Sequence, residues 1–174
     1  SFNLTAPTSD SSGSFSYTSS NLSVATIVED VVTIVSSGSS TITATQVETD
    51  TYTSGSTSSD LQVNKITTVL GSFSIPSKTY GDASFTLTPP TSNSSGLFSY
   101  TSSNESVATI AGSTITIVAV GSTTITATQE ETTNYTSDTI STTFQVIQQN
   151  KTETLLTNFL IPSKTYGDLP FTIT

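Results

Sequence analysis

The sequence contains no cysteine, histidine, methionine or tryptophan, and its four basic residues are all lysines. These absences exclude whole classes of chemistry. Cys/His pairs, Ser-His-Asp triads and histidine-based zinc sites cannot be assembled. No disulfide is available to supply the ~2–4 kcal/mol that small secreted domains often draw from one. Four lysines stand against thirteen acidic residues, for a net charge of −9. Nucleic acid and anionic membrane surfaces call for clustered Lys and Arg, so neither is an expected partner. No apolar run approaches the ~18–20 residues of a membrane-spanning helix, and no signal-peptide pattern is expected within this segment, which opens in mid-repeat. We expect no cofactor, no metal, no membrane insertion in this segment, and no enzymatic activity.

Serine and threonine fill about two-fifths of the chain. Such a composition points first to disorder or a mucin-like stalk. The pattern argues against both, because Val, Ile and Phe recur at fixed positions between the hydroxyl residues. Branched side chains and threonine favour a pleated, half-buried strand.

The dominant feature is a repeat. Ser16 to Gln46 returns as Ser99 to Gln129, and Asn21 against Asn104 gives an offset of 104 − 21 = 83. No gap is needed from residue 1 to about residue 65. Residues Ile75-Pro-Ser-Lys78-Thr-Tyr80-Gly81-Asp82 return as Ile161-Pro-Ser-Lys164-Thr-Tyr166-Gly167-Asp168, now offset by 166 − 80 = 86. Three residues are therefore inserted between Val146 and Phe159, in a connector where length changes cost little. The expected organisation is a repeat over residues 1–65 lacking its first strand segment, a complete repeat over 66–149, and a connector with the opening strand of a third over 150–174. Units of roughly 80 residues bury only about 60–65% of their unfolded surface and are marginal alone.

Within the second repeat, Phe85-Thr-Leu87-Thr alternates, and Pro89-Pro90 with Asn93-Ser-Ser-Gly96 marks a turn. Strands are expected at Phe98 to Ser102, Val107 to Ile110, Thr114 to Val118, Thr123 to Thr128 and Thr142 to Val146. Ile115, Ile117, Ile125 and Ala127 fall on one face at period two, with threonines opposite. About seven short strands per unit, punctuated every 8–12 residues, read as a β-sandwich. The fold class is all-β, tandem sandwich repeats with a period of 83–86 residues.

Ser103-Asn104-x-Ser106-Val107-Ala108-Thr109-Ile110, followed by Gly121-Ser122-x-Thr124-Ile125-Thr126-Ala127, resembles the signature of bacterial Ig-like repeats of group 2, the intimin/invasin-like kind. Lys78-Thr-Tyr80-Gly81-Asp82-x-x-Phe85 is similar to the opening strand of the related "mostly bacterial" Ig-like repeats. Similar Ser/Thr-rich arrays are also encoded by large DNA viruses. The resemblance spans both repeats. It implies Ig-like sandwiches in a long surface or extracellular protein, acting as spacer, stalk or fibre body, with glycan-binding tips in some members. It brings no catalytic residues.

Glu29-Asp30 and Glu130-Glu131 pair carboxylates, as acid/base catalysis requires, but they are not shared between repeats and read as solvated turns. Calcium near Asp82, Asp168, Glu130, Glu131 and Glu153 lacks a D-x-D-x-D loop; Asp82 is better read as accepting backbone hydrogen bonds in a Gly-Asp turn. Outward threonines such as Thr114, Thr116, Thr124, Thr126 and Thr128 form a hydroxyl ladder of the sort ice-binding surfaces use, and are also ordinary on strands. Tyr17, Tyr52, Tyr80, Tyr100, Tyr135 and Tyr166 recur with the core pattern, which favours structural roles over sugar stacking. Six of eight asparagines lie in N-x-[ST] sequons: Asn3, Asn21, Asn93, Asn104, Asn134 and Asn150. They are the candidate glycosylation sites, against the alternative of asparagine as a turn former.

The first unit lacks its lead-in text, and the C-terminal residues carry a spare one. Either the sequence is a window on a longer tandem chain, or the spare segment of one subunit completes the open sheet of the next. The candidate inter-repeat or inter-subunit strand comprises Phe159, Ile161, Tyr166, Gly167, Asp168, Phe171 and Ile173. The expected function is structural: a glycosylated segment of an extracellular fibre, filament or surface stalk, on a cell or virion, whose partner is itself, head to tail. The alternative is an adhesin that binds glycan or a host surface protein.

Overall fold

A computed structural model describes residues 1–157, 159–161 and 163–170. The described chain is all-β, with thirteen strands and no helix. The first unit is built from β1 (Phe2–Asn3), β2 (Phe15–Ser19), β3 (Ala25–Val28), β4 (Val31–Ile34), β5 (Gly38–Gln46) and β6 (Gly55–Val63). The second uses β7 (Lys78–Thr79), β8 (Phe85–Thr86), β9 (Phe98–Ser102), β10 (Ala108–Ala111), β11 (Thr114–Ile117), β12 (Gly121–Gln129) and β13 (Asp138–Ile147). Each unit has two sheets, ordered β1-β4-β3 and β2-β5-β6 in the first, β8-β11-β10 and β7-β13-β12-β9 in the second. The units therefore differ by one strand. Lys78–Thr79 runs parallel to the outer edge of β13, with Val146 opposite Lys78 and Ile147 opposite Thr79. Among the described residues, no strand lies beside the corresponding edge of β6.

Alternation places the core. On β12, Thr123, Ile125, Ala127 and Gln129 point inward, and all four are buried. Ile125 and Ala127 share one core cluster with Phe144 and Val146 of β13, Ala108, Ile115, Val107 and Leu87, and the connector residue Phe73. Phe144 lies edge-on to Phe85 at 5.6 Å between ring centroids. In the first unit only Val24, Ala25 and Val32 form a fully buried cluster. Ile42 and Ala44 keep 9% and 7% of their surface exposed, where their counterparts Ile125 and Ala127 keep none. Phe73 and Ile75 pack on the second core, and among the described residues no counterpart of them packs on the first.

Most strand limits differ from the sequence reading by one or two residues, and two of the departures have a clear cause. The expected strand from Phe85 stops after Thr86, because Leu87 makes only a last bond to Ser113 O at 2.8 Å before Pro89-Pro90 removes two donors. The closing strand begins at Asp138 rather than Thr142, since the full length of β12 offers it partners down to Gln129 opposite Asp138.

Buried hydroxyl and amide groups organise the turns. Thr123 Oγ1 lies 2.8 Å from Ser102 Oγ and accepts the Asn104 N–H at 2.9 Å. Ser40 does the same for Ser19 and Asn21 in the first unit, at 2.8 and 3.1 Å. Gln129 is buried; its Nε2 donates to the carbonyls of Ser94 and Gly96 at 3.1 and 2.8 Å, and its Oε1 accepts the Ser92 hydroxyl. Gln46 clamps the carbonyls of Ser11 and Gly13 in the same way. Gly96 is required there, because a Cβ would collide with the Glu130 carbonyl oxygen.

The hairpins β3–β4 and β10–β11 turn on Glu29 and Gly112, with φ of 56° and 60°. Only the second is glycine, so the first unit carries left-handed strain of about 1–2 kcal/mol. Glu29→Gly is expected to stabilise the first unit by about 1 kcal/mol. Thr123→Val, which strips the partner from the Asn104 N–H, is expected to destabilise the second by about 1–3 kcal/mol. Chemical denaturation followed by NMR resonances assigned to each unit reads both.

Candidate inter-repeat interface

The chain leaving β6 does not cross a free linker. It runs directly onto the second unit and becomes part of it. Ile66 donates its N–H to Asn134 O at 2.8 Å and accepts the Thr136 N–H at 3.0 Å, forming a parallel bridge opposite Tyr135. Thr68 is buried; its N–H donates to Thr136 Oγ1 at 3.1 Å and its hydroxyl to the Thr136 carbonyl. Asn93 then takes over. Its Oδ1 accepts the Val69 N–H at 2.9 Å and its Nδ2 donates to Thr67 O at 3.2 Å. Gly71 N–H reaches Thr91 O at 2.8 Å. Phe73 enters the core, 6.2 Å from the Tyr100 ring. Burial pushes the Tyr100 phenol above its ordinary pKa.

The segment ends in β7 and a tight turn. Asp82 N–H donates to Thr79 O at 3.0 Å, Thr79 N–H donates to Asp82 Oδ2 at 2.9 Å, and Gly81 takes φ of 99°. The Asp82 carboxylate is thus a backbone acceptor, as its Gly-Asp setting implies. Lys78 Nζ sits 5.2 Å from the centre of the Phe85 ring.

Two contacts join the bodies of the units. Ser37 donates its N–H to Asn134 Oδ1 at 2.8 Å and its hydroxyl to the Thr133 carbonyl. Lys65 and Glu131 form an ion pair at 2.9 Å, with side chains 31% and 67% exposed. A shallow cleft lined by Ile34, Val35, Val63, Ile66 and Tyr135 lies between these contacts. At the far end of the second unit, the surface matching Ile34 to Val63 exposes Val118, Val120 and Ile147.

The sequon asparagines separate into two groups. Asn93 and Asn134 hold the junction through their side chains. Asn3 bonds Asp30 Oδ2 at 3.1 Å. Asn21 and Asn104 each cap a turn, accepting the N–H of Ser23 and of Ser106 at 3.2 Å. Asn3, Asn93, Asn104 and Asn150 are exposed, and Asn21 and Asn134 are half-buried. Of the candidate strand residues, Phe159, Ile161, Tyr166 and Leu169 nearby are exposed and belong to no strand. Gly167 and Asp168 form a turn of their own, and Phe171 and Ile173 lie outside the described residues. Glu130 and Glu131 are brought beside no acidic partner that would make a metal site: among the described residues no group of three or more potential ligands comes together.

Sequence reasoning missed Ser37, Asn93 and Asn134 as junction residues and Gln129 and Thr123 as buried anchors. Gln46 and Gln129 were visible as a shared end to the TATQ text. Ser37 and Asn134 left no such trace, since their counterparts are Val120 and Thr51.

This fold is one of known type. Residues 83–140, a third of the chain, match the model of the bacterial Ig-like domain (group 2). Among solved structures the chain is similar to the surface layer protein SbsC, domains 4–9, at 21% identity and a TM-score of 0.36. The match covers 80% of this chain and 23% of that one. No curated protein matches the chain.

Removing the exposed ion pair with Glu131→Gln is expected to change the melting free energy by less than about 1 kcal/mol. Asn134→Ala, which leaves the Ser37 N–H without its partner, is expected to loosen the hinge while each unit stays folded. Residual dipolar couplings would show the two units sharing one alignment tensor in the parent chain and diverging in the variant.

Proposed function

We propose that this chain is a structural repeat segment of an extracellular fibre, filament or surface stalk. One observation carries the reading: the lead-in of the second unit is supplied by the chain leaving the first. Each joint is therefore built into the fold of the next repeat. Backbone bonds from Ile66, Val69 and Gly71, together with Phe73 in the core, restrain the two units relative to each other. Repetition of such a joint gives length with little bending at the connectors. The group 2 Ig-like match supports a non-enzymatic surface role.

The surface fits this role. Outward-facing hydroxyls pair across strands, as Thr126 with Ser141 and Thr43 with Ser58, both at 2.9 Å. This leaves a weakly charged, hydrated exterior that can carry sugar. Glycan is expected on Asn104 and Asn150, and less on Asn93 and Asn134, whose amides hold the junction.

Electron microscopy of native material, with intact-mass analysis of the denatured polypeptide, tests the reading. Elongated rods with regularly spaced domains are expected, with mass in excess of the polypeptide removed by glycosidase treatment. Compact particles without axial repetition would contradict the structural role.

A further inference from the structure

The chain enters the second unit and leaves it along one seam. On entering, it runs parallel to the exit strand β13, or to the residues just before it, at two places. At the first, the Ile66 N–H donates to Asn134 O at 2.8 Å and Ile66 O accepts the Thr136 N–H at 3.0 Å. Thr68 adds its N–H to Thr136 Oγ1 at 3.1 Å and its hydroxyl to the Thr136 carbonyl. At the second, Lys78 and Thr79 lie opposite Val146 and Ile147, and the Tyr80 N–H donates to Ile147 O at 2.9 Å. Between the two, the Gly71 N–H donates to Thr91 O at 2.8 Å and Phe73 is buried in the core. On its other side β13 pairs antiparallel with β12, from Asp138 opposite Gln129 to Val146 opposite Gly121.

This connectivity decides how the bonds meet a pull along the chain. Tension reaches the entering segment before Ile66, at its N-terminal end. It reaches β13 after Ile147, at its C-terminal end. Two parallel strands drawn from opposite ends slide lengthwise past each other. Their hydrogen bonds run across the strands, so sliding strains the bonds of each patch together rather than one after another. Strand β12 resists the same movement, because drawing β13 out past Ile147 moves it along β12 and not away from it. A pull applied beyond Asp82 acts differently. The chain following β7 and the chain following β13 emerge at the same end of the pair, and drawing them apart opens the rungs singly, beginning with Thr79 opposite Ile147.

We propose that the second unit is a tension-bearing element, and that its clamp is the parallel seam between residues 66–80 and residues 134–147. The source of the load rests on the stalk reading above; the seam follows from the connectivity alone. The seam gives the unit a direction, strong along the chain and weak across it. The exposed ion pair of Lys65 with Glu131 adds little to it.

The chain has no cysteine, so introduced thiols fix where pulling handles attach. Asn64, Ala83 and Gln149 are all exposed. In the full chain, handles at Asn64→Cys and Gln149→Cys load the seam lengthwise and leave the first unit unstretched. Handles at Ala83→Cys and Gln149→Cys load the same unit from one end of the seam. Single-molecule force spectroscopy at equal loading rate is expected to give a rupture force at least about twofold higher for the first pair. Ile66→Pro removes the donor to Asn134 O at an exposed side chain. It is expected to lower the force for the Asn64–Gln149 handles and leave that for Ala83–Gln149 unchanged, since residue 66 lies outside the stretch those handles draw on. Ile66→Ala, which keeps the N–H, is expected to change neither. Equal forces in the two directions, an equal loss in both from Ile66→Pro, or as large a loss from Ile66→Ala would overturn the proposal. Rod-shaped native material without the direction dependence would sink the clamp and leave the structural role standing. A direction-dependent force in a protein whose native form is not elongated would keep the clamp and remove the stalk reading.

Discussion

The structure depends on the lead-in strand that opens the second unit. Lys78–Thr79 pairs in parallel with β13, and the residues leading to it bring Phe73 and Ile75 into the second core. A parallel neighbour cannot be reached by a hairpin; it has to arrive by a long crossover or from outside. Here the crossover is the body of the second unit itself, from β7 round to β13. Burial of one phenylalanine contributes about 1.5–3 kcal/mol, a large share of the stability of so small a domain. The first unit, on which the described residues place no such segment, has a smaller buried cluster and leaves Ile42 and Ala44 partly exposed.

With no disulfide and few large apolar side chains, the sandwich relies on satisfied polar groups inside it. Thr123 and Gln129 are buried and fully used, and no buried side-chain polar atom lacks a partner among the described residues. Such groups contribute modestly when paired but cost the full desolvation when orphaned. They therefore fix the turns in one arrangement. The hydroxyl-rich composition, which resembles that of disordered segments, is compatible with a defined fold because the few inward hydroxyls are each assigned to a particular backbone group.

Much of this was legible in the sequence. The period-two placement of Ile115, Ile125 and Ala127 located the core, and the repeated SYTSSN and TITATQ texts located strands β2, β5, β9 and β12. The lead-in was also recognisable, because Tyr-Gly-Asp recurs. Its pairing partner was not, since nothing in Lys78-Thr79 says which edge it joins. The junction was hidden for a different reason. Ser37 meets Asn134 across 97 positions, and neither residue has a like counterpart in the other unit. Asn134 read as a sequon, where local spacing is visible and a long-range partner is not. Likewise Glu29 read as part of an acidic turn; its left-handed backbone became apparent only beside Gly112.

Native-state amide hydrogen exchange on the dilute chain tests most directly the claim that the incoming segment completes each unit. Central-strand amides report the opening free energy of their own unit. The account predicts that Ile125 and Ala127 on β12 are protected at least about tenfold more than Ile42 and Ala44 on β5. It also predicts that a peptide carrying the text of residues 150–168 closes the gap by slowing β5. Equal protection of the two strands without peptide, or no response of β5 to it, would contradict the account.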